Sequence, residues 1–378
     1  MRYPNIIRAE NDMLFTDDGR QCIDLFSAHG AALLGHTHRQ IGEKINEQLG
    51  QIWISGGLET PAFAEAKTLI ESFFPDSHSL AALYSTGMES AEFAIRMARV
   101  ITGKNGVIGF EQCLHGKSLA TACLGWDNRD GIHIPGFFRL PFVQTASEEK
   151  VLELLDKTLA EHSVSAVFLE PLQGSGGGYA ASRQFYQETS HLCRKAGALL
   201  VFDEILTGFY RTGAPFFFSD LGFVPDIVLI GKAMGNGFPV SAVVAKRKYD
   251  IKKEMLPGST FSGNPLASAA VAATLHQMQM LDLPAMVAQI EKVIHRYIDR
   301  FKEMGITPRG KGALWIIELP SHMDVEDMVA NIYKAGVLVG YTQQQLRLLP
   351  AATIELKNLE YACACIIDAI FNFHNGRR

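Results

Sequence analysis

The chain has 378 residues, of which 47% are hydrophobic and 20% are charged, and its formal net charge is −5. A chain of this length has room for two or three domains and a large core, and the composition is that of a folded globular protein. Because the net charge is small and no run of lysine or arginine is long, nothing favours a nucleic acid or an anionic membrane as partner. No apolar window approaches the length of a membrane span.

The six cysteines are scattered and include no Cys-x-x-Cys pair. This spacing argues for reduced thiols and against a disulfide framework or a zinc site. The N-terminal stretch is acidic and has no apolar segment typical of a signal peptide, so we expect a cytoplasmic protein. His29, His36 and His38 lie close together in the sequence. Gly35 and Thr37, which flank His36, indicate a turn, so we expect no metal there.

Apolar periodicity predicts the order of helices and strands along the chain. Short strands are expected over the first 25 residues, where turn signals separate apolar pairs, and a loop rich in glycine, alanine and histidine follows over 26–38. Helices are predicted over 39–49, 60–74, 148–162 and 183–196, and buried strands over 80–84, 107–110, 164–169, 198–202, 227–230 and 241–245.

A further helix is predicted to begin at Thr86, because Thr86 and Glu89 have the spacing of a capping box. Gly87 and Met88 then present free backbone N–H groups at the positive end of the helix dipole, which is a ready site for phosphate. A well-capped helix that binds nothing is the simpler explanation of this motif taken alone.

The alternation of strands and helices between about 80 and 245 predicts an α/β fold with a mostly parallel sheet wrapped by helices. One or two long helices are expected over 266–303, and the pattern after them is typical of a smaller α+β domain. We expect the large domain to span 46–270, with the small domain formed by both ends of the chain, 1–45 and 271–378.

Two of the predicted strands end in residues of complementary chemistry. Asp203 ends the first of them, and Lys232 follows the second. Ligands of open α/β sheets bind at the carboxyl ends of the strands. An acid and an amine at this edge suit pyridoxal phosphate (PLP), whose aldehyde forms a Schiff base with a lysine and whose pyridinium nitrogen pairs with an acid. Each residue alone is better explained as a turn or cap aspartate and a solvated lysine.

An ordered set of motifs covering nearly the whole chain resembles the class III PLP-dependent aminotransferases, the ornithine, acetylornithine and ω-amino acid type. The most specific motif runs from Asp203 to Gly213 and reads Asp-Glu-Ile-Leu-Thr-Gly-Phe-Tyr-Arg-Thr-Gly. The resemblance implies the fold type I architecture. The other matching segments are 35–38, 85–90, 114–116, 170–174 and those around Lys232 and Thr260.

The resemblance implies roles for individual residues. Lys232 is implied to be the Schiff-base lysine and the base that moves the substrate proton, and Asp203 to pair with the ring nitrogen. Thr260 is implied to reach the phosphate of the neighbouring subunit, which makes a homodimer with shared active sites a requirement. The other implied cofactor-binding residues are Gly87 and Met88 at the phosphate, Ile205 on a ring face, and Leu114, His115 and Glu170 around the cofactor.

Substrate contacts follow from the same resemblance. Arg347 matches the arginine that pairs with a substrate α-carboxylate, a bidentate contact. Lys117 occupies the position of a substrate-binding arginine, and a solvated loop lysine is an equally good interpretation. Trp53, together with Leu114 and the Phe216–Phe218 run, hints at an apolar or long substrate, although phenylalanine runs more often belong to the core.

Three positions depart from the family pattern. Leu114 stands where a ring-stacking aromatic residue is usual, which predicts a weaker sandwich around the ring. Leu206 stands where many members carry a glutamine that bonds to the phenolic oxygen of the cofactor. Ser175 replaces the acid that closes over the arginine in glutamate-using members, so Arg347 is expected to stay open to substrate.

The function implied is an aminotransferase that works by a ping-pong mechanism, moving an amino group from a small-molecule donor to a keto or aldehyde acceptor. A same-fold aminomutase of the glutamate-semialdehyde type, or a racemase, uses the same lysine and aspartate and is the alternative. A nicotinamide dehydrogenase is disfavoured because the dinucleotide glycine fingerprint is missing. A non-catalytic protein is disfavoured because both Lys232 and Asp203 are present.

Overall fold

The computed structural model describes residues 5–126, 131, 133–252 and 258–375. Its strands form three sheets, and short apolar or alternating segments make up most of them. In chain order the strands are β1 (Ile6–Glu10), β2 (Met13–Thr16), β3 (Gln21–Asp24), β4 (His78–Tyr84), β5 (Gly106–Phe110), β6 (Phe137–Leu140), β7 (Val164–Leu169), β8 (Leu199–Asp203), β9 (Ile227–Gly231), β10 (Ser241–Lys246), β11 (Arg309–Lys311), β12 (Leu314–Glu318), β13 (Val337–Leu338), β14 (Gly340–Thr342) and β15 (Gln345–Leu348).

The central sheet has seven strands in the order β4-β10-β9-β8-β7-β5-β6. The pairs from β9 to β6 are all parallel, whereas β10 runs antiparallel to both of its neighbours. The predicted α/β fold with a mostly parallel sheet is therefore confirmed. The sequence analysis did not predict β6 or β11.

Both faces of this sheet are buried, as the uninterrupted apolar runs predict for parallel strands. Side chains alternate between the two faces along a strand. In β8, Leu200 and Phe202 pack into one hydrophobic core, while Leu199 and Val201 pack into a second core on the other face. All five residues of β8 are buried, so the strand is fixed on both sides and its last residue, Asp203, is held in place.

Most helices lie where apolar periodicity predicts them. The helix Arg39–Leu49 and the helix Arg183–Ala196 match the predicted bounds, and Glu148–Glu161 ends one residue early. Among the described residues, no helix is both long and apolar enough to cross a membrane. The other helices are Pro61–Glu71, Gly87–Thr102, Leu119–Ala122, Pro265–Met280, Leu283–Glu303, Val325–Lys334 and Leu356–Asn375, and 3-10 turns lie at Phe217–Asp220, Lys232–Gly235 and Arg247–Tyr249.

The two ends of the chain share a sheet. Strand β13 pairs in parallel with β3, placing Val337 opposite Ile23, and the sheet runs β1-β2-β3-β13. A second small sheet, β11-β12-β15-β14, contains only residues from the last part of the chain. This pairing is in keeping with a small domain built from both termini, and the bounds given above for the two domains stay a prediction.

A buried arginine joins the central sheet to both ends of the chain. The guanidinium of Arg211 donates hydrogen bonds to the carbonyl oxygens of Gly30 (3.0 Å), Ala313 (3.1 Å) and Pro350. Its side chain is fully buried, and burial lowers the pKa of Arg211 to about 9. The two terminal nitrogens of the guanidinium bind three carbonyl oxygens, while its Nε has no partner in the described chain. These bonds fix the position of the N-terminal loop and of the segment after β15 relative to β8.

Candidate active site

A cavity of about 350 Å³ lies at the carboxyl ends of the parallel strands. Glu170 follows β7, Asp203 ends β8 and Lys232 follows β9, and all three line this cavity. The strand order therefore brings together an acid and an amine that are far apart in the sequence. Eight of the nine predicted cofactor-binding residues line the cavity: Gly87, Met88, Leu114, His115, Glu170, Asp203, Ile205 and Lys232.

Asp203 forms a buried pair with His115, and both residues line the cavity. Its Oδ2 lies 2.9 Å from Nδ1 of His115, and the N–H of Ile205 donates to its Oδ1 at 3.1 Å. Burial is the largest single influence on His115 and acts to lower its pKa, but the hydrogen bonds and charges of Asp203 and Cys113 together outweigh it and raise the pKa to about 10. His115 therefore carries a positive charge near neutral pH, and its contact with Asp203 fixes the orientation of that carboxylate.

Glu170 supplies a second acid. Its carboxylate accepts hydrogen bonds from the N–H groups of Leu114 (2.6 Å) and Gly174 (3.3 Å). Burial raises the pKa of Glu170 to about 7, which the nearby charge of His115 opposes. The side chain therefore changes its charge near neutral pH, at a position between the cavity and the glycine-rich loop.

Lys232 begins the 3-10 turn after β9 and has a positive φ of 42°. Burial and, to a smaller extent, the charge of Arg347 lower its pKa to about 8, although Asp203 and Glu170 act to raise it. A lysine with this pKa is a free amine in an appreciable fraction of molecules near neutral pH, which is what a nucleophile or a base requires.

The helix Gly87–Thr102 opens at the cavity. Thr86 Oγ1 accepts a hydrogen bond from the N–H of Glu89 at 3.2 Å, as the capping motif predicts. The carboxylate of Glu89 accepts from the N–H of Ser85 (3.0 Å), one residue before the position that a reciprocal capping box uses. A Cβ on Gly87 would lie 2.6 Å from Cδ1 of Ile205, so glycine is what allows Ile205 to pack against the first turn.

Arg347 lies in β15, between β12 and β14. It is only 4% exposed, and within the described chain it has no hydrogen-bond or ion-pair partner. Burial lowers its pKa, and the charge of Glu170 opposes that shift. Ser175, where an acid would close over the arginine, lines the cavity and supplies no charge. A buried guanidinium that forms no ion pair within the protein can bind an anion from outside the chain.

The remaining predicted contacts are not among the described residues that line the cavity. Lys117 and Thr260 are exposed, and the indole of Trp53 is 60% exposed with its Nε1 donating to the carbonyl of Leu49 at 2.7 Å. Trp53 lies beside the segment that carries Thr260, because Asn264 Nδ2 donates to the carbonyl oxygen of Trp53 at 3.0 Å. Trp53 and the segment that carries Thr260 therefore lie together on the surface of the protomer.

The residues of the cavity fit PLP. Asp203 supplies the anion for a pyridinium nitrogen, Lys232 the amine for an aldehyde, and the first turn at Gly87 the unpaired N–H groups for a phosphate. Ile205 supplies an apolar surface for one ring face. In the described ranges, no group of three or more His, Cys, Asp or Glu side chains is arranged to hold a metal, and His36 instead pairs with Asp24 at 2.7 Å.

Two parts of the site were not singled out in the sequence analysis. The segment 237–240, shortly after Lys232, forms part of the cavity wall. The run Gly-Phe-Pro within it was a signal that a turn follows the lysine. The loop 26–38 carries His29, which we considered only as a metal ligand, close enough to Lys232 and Arg347 for their charges to affect it.

Comparisons with known proteins agree with this arrangement. The family model described as aminotransferase class-III matches residues 2–370. The acetylornithine aminotransferase of Bacillus subtilis is 32% identical over 378 residues, covering 97% of this chain and 94% of the relative. The 2-aminoadipate transaminase of Pseudomonas putida is 32% identical over 385 residues, covering 93% and 91%.

Solved structures share the fold. The structure of taurine:2-oxoglutarate aminotransferase from Bifidobacterium kashiwanohense, in complex with PLP and glutamate, superposes with a TM-score of 0.92 at 20% identity, covering 99% of this chain and 94% of that one. An S-selective transaminase from Arthrobacter sp. superposes with a TM-score of 0.90 at 22% identity, covering 100% and 94%. At these identities the likeness shows the architecture of the chain.

Proposed function

Since the chain belongs to the class III aminotransferases and transfers amino groups with PLP as cofactor, we propose that Lys232 is the Schiff-base lysine and that Asp203 pairs with the ring nitrogen. The observation that carries this assignment is that both side chains line one cavity with the N-terminus of the helix Gly87–Thr102. When bound, PLP supplies the electron sink that makes amino transfer possible.

Each residue of the cavity has a separate role toward this cofactor. Asp203, oriented by its hydrogen bond with His115, would pair with the ring nitrogen. The amine of Lys232, once it is free, would act as the base. It would take the proton from the substrate carbon that bears the nitrogen and deliver that proton to the carbon that accepts the nitrogen. The backbone of Gly87 and Met88 holds the phosphate, and Ile205 packs on a ring face. Leu114 and Glu170 complete the wall that excludes water.

We also propose that both the donor and the acceptor carry a carboxylate that Arg347 binds. The support is that the Arg347 side chain has no ion-pair or hydrogen-bond partner within the described chain, and that position 175 is a serine. A buried guanidinium that stays open in both half-reactions favours an anionic group in each substrate. The relatives named for acetylornithine and 2-aminoadipate are in keeping with amino acid donors. Lys117 is a candidate for a second acidic group.

A homodimer with shared sites is part of the proposal, as is a cytoplasmic location. Thr260 is exposed on its own protomer and lies beside Trp53, where a neighbouring subunit can meet both. Large apolar side chains are exposed in the same parts of the chain, which favours burial against another surface. They are Ile52, Trp53, Ile54, Leu58, Leu119 and Phe261.

The visible absorbance of the purified protein tests the proposal. We expect a yellow band that bleaches when an amino acid donor is added and returns when a keto acid follows. The return step separates an aminotransferase from a racemase or an aminomutase, because those enzymes do not hand their nitrogen to an added keto acid. A protein that stays colourless after PLP is supplied would rule out the roles given to Lys232 and Asp203.

A further inference from the structure

The first residue of β10, Ser241, lies between two strand ends that lead into the active site. Because β10 runs antiparallel to β4 and β9, its amino end meets the carboxyl ends of both. On one side Ser241 is opposite Gly231, the residue before Lys232. On the other side it is opposite Tyr84, the last residue of β4, after which the chain turns into the helix Gly87–Thr102. Ser241 therefore separates the strand that carries the lysine from the strand that leads to this helix.

The side chain of Ser241 joins the sheet to the start of that helix. Its hydroxyl donates a hydrogen bond to the carbonyl oxygen of Thr86 at 2.6 Å, and its Oγ lies 2.6 Å from Oγ of Ser90. A serine hydroxyl has one proton and a carbonyl oxygen can only accept, so Ser90 is the donor in the second bond. The two hydrogen bonds therefore run in one direction, from Ser90 through Ser241 to the carbonyl oxygen of Thr86.

The carbonyl oxygen of Thr86 belongs to the same peptide unit as the N–H of Gly87. A peptide unit is planar, so a bond that fixes the oxygen also fixes the direction of that N–H. The other oxygen of Thr86, Oγ1, accepts from the N–H of Glu89, and its carbonyl oxygen also accepts from the N–H of Ser90 at 3.1 Å. In the described part of the chain this leaves the N–H groups of Gly87 and Met88 as the free donors of the first turn.

The hydroxyl pair is on the protein side of this turn. Ser90 and Ser241 are both completely buried, whereas Met88 is exposed and lines the cavity. A buried hydroxyl without a partner is costly, and here each serine provides the partner of the other. Hydrogen bonds that follow one another in a dry environment strengthen each other, so the carbonyl oxygen of Thr86 is held firmly from behind.

Building on the phosphate-binding role of Gly87 and Met88 proposed above, we propose that Ser241 is a positioning residue for the cofactor phosphate. Its hydroxyl fixes the peptide unit between Thr86 and Gly87 relative to the strand end that carries Lys232. The turn that binds the phosphate and the lysine that binds the aldehyde are then held at one separation, which matches both ends of a single PLP molecule. Ser90 orients the hydroxyl of Ser241.

The test measures how cofactor-free protein binds PLP and pyridoxal, which lacks the phosphate, by absorbance titration. Ser241→Ala removes the bond to the carbonyl oxygen of Thr86, so we expect Kd for PLP to rise about three- to tenfold, the usual worth of one hydrogen bond. Kd for pyridoxal should not change. Ser90→Ala is the matched control, because it deletes the same atom from the same buried pair and keeps the bond from Ser241 to the turn. It should change neither Kd.

A further variant, Ser241→Cys, keeps a side chain of similar size with a weaker donor, so its Kd for PLP should lie between those of the wild type and Ser241→Ala. An equal rise of Kd for PLP in Ser90→Ala and Ser241→Ala would overturn the inference, because the serine pair would then support the fold in general. An equal rise for PLP and pyridoxal in Ser241→Ala would overturn it as well, because the effect would not depend on the phosphate.

The same titration separates this inference from the proposed function on which it rests. A wild-type protein that binds PLP no more tightly than pyridoxal would refute the phosphate role of Gly87 and Met88, and the role of Ser241 with it. A wild-type preference for PLP that Ser241→Ala leaves intact would refute the role of Ser241 alone.

Discussion

Two buried arginines, Arg211 and Arg347, show how differently the same side chain is treated in two regions of this molecule. Arg211 lies at the junction of the sheet with both chain ends and donates to three carbonyl oxygens. Arg347 does not line the cavity, although its charge affects Lys232, and its side chain has no hydrogen-bond or ion-pair partner in the part of the chain that is described. Burial lowers the pKa of both guanidinium groups.

This difference separates buried charges that stabilise the fold from those available to bind a ligand. A buried cation whose donors are matched by the protein contributes to the folded state, whereas one left unmatched costs stability until a ligand supplies the anion. Glu204 resembles Arg211 in being a buried charged residue that the protein itself binds, since its carboxylate accepts hydrogen bonds from the N–H groups of Phe217 and Phe218 at 3.0 Å each. Lys232 resembles Arg347, because its buried side chain is left for a ligand to bind.

The largest expected effect is at Lys232. We expect Lys232→Ala to abolish turnover, because no other described lysine lines the cavity, and to leave the fold and the subunit assembly intact, because burial already disfavours the charge. Turnover assays and thermal melting check this, with the exposed Lys150→Ala as control. A Lys232→Ala protein that turns over substrate would remove the Schiff-base assignment.

Arg211→Met should cost stability rather than specificity. The substitution leaves the carbonyl oxygens of Gly30, Ala313 and Pro350 without their donor, and each buried unpaired group costs about 1 to 3 kcal/mol. We expect a loss of about 3 kcal/mol or more in the free energy of unfolding, measured by denaturant titration. An unchanged unfolding midpoint would contradict the role of this arginine in joining the chain ends.

Arg347→Met, the same substitution at the other arginine, should do the opposite. We expect an unchanged or slightly higher unfolding midpoint, since an unmatched buried charge is removed. KM for carboxylate-bearing substrates should rise about 10- to 100-fold, the usual worth of a charge-assisted hydrogen bond. Steady-state kinetics with donors that carry or lack a carboxylate measure this, and an equal loss with both kinds of donor would mean that the carboxylate binds elsewhere.

The smallest effect concerns pH. The folded pKa of Lys232, about 8, lies below the usual value of 10.5, so the fraction of free amine rises as pH increases through 8. Uptake of PLP by the cofactor-free protein should therefore accelerate about threefold between pH 7.5 and 8.5 and level off above that. Stopped-flow absorbance at a series of pH values follows the attachment. A rate that keeps rising toward pH 10.5 would mean that burial does not shift this lysine.

The sequence was most informative where a local rule coincides with the tertiary arrangement. The runs before Asp203 and Lys232 are short, apolar and branched, and they form β8 and β9 because a parallel sheet buries both faces of such segments. The carboxyl ends of parallel strands are also where ligands bind in open α/β sheets. The acid and the lysine of the site could therefore be found without a structure.

Other features had no local signal. Strand β6, Phe137–Leu140, is four residues long and lies at the sheet edge with only β5 beside it, so its period is too short to recognise. Ser27, Ala28 and His29 adopt the left-handed region although none of them is a glycine. Local hydrogen bonds to Asp24 at the start of this turn, and a hydrogen bond from the distant Arg211 at its end, hold it in place. A pattern of local preferences cannot show a conformation that tertiary contacts force on the chain.

The contacts of Arg211 also bear on how the protein matures. Gly30 is synthesised long before Ala313 and Pro350, which bind the same guanidinium. Further main-chain bonds from Leu349 to Leu25 and from Ala352 to Leu33 bridge the same interval. The full set of contacts around the N-terminal loop can therefore form only after the segment that contains Ala352 has been synthesised.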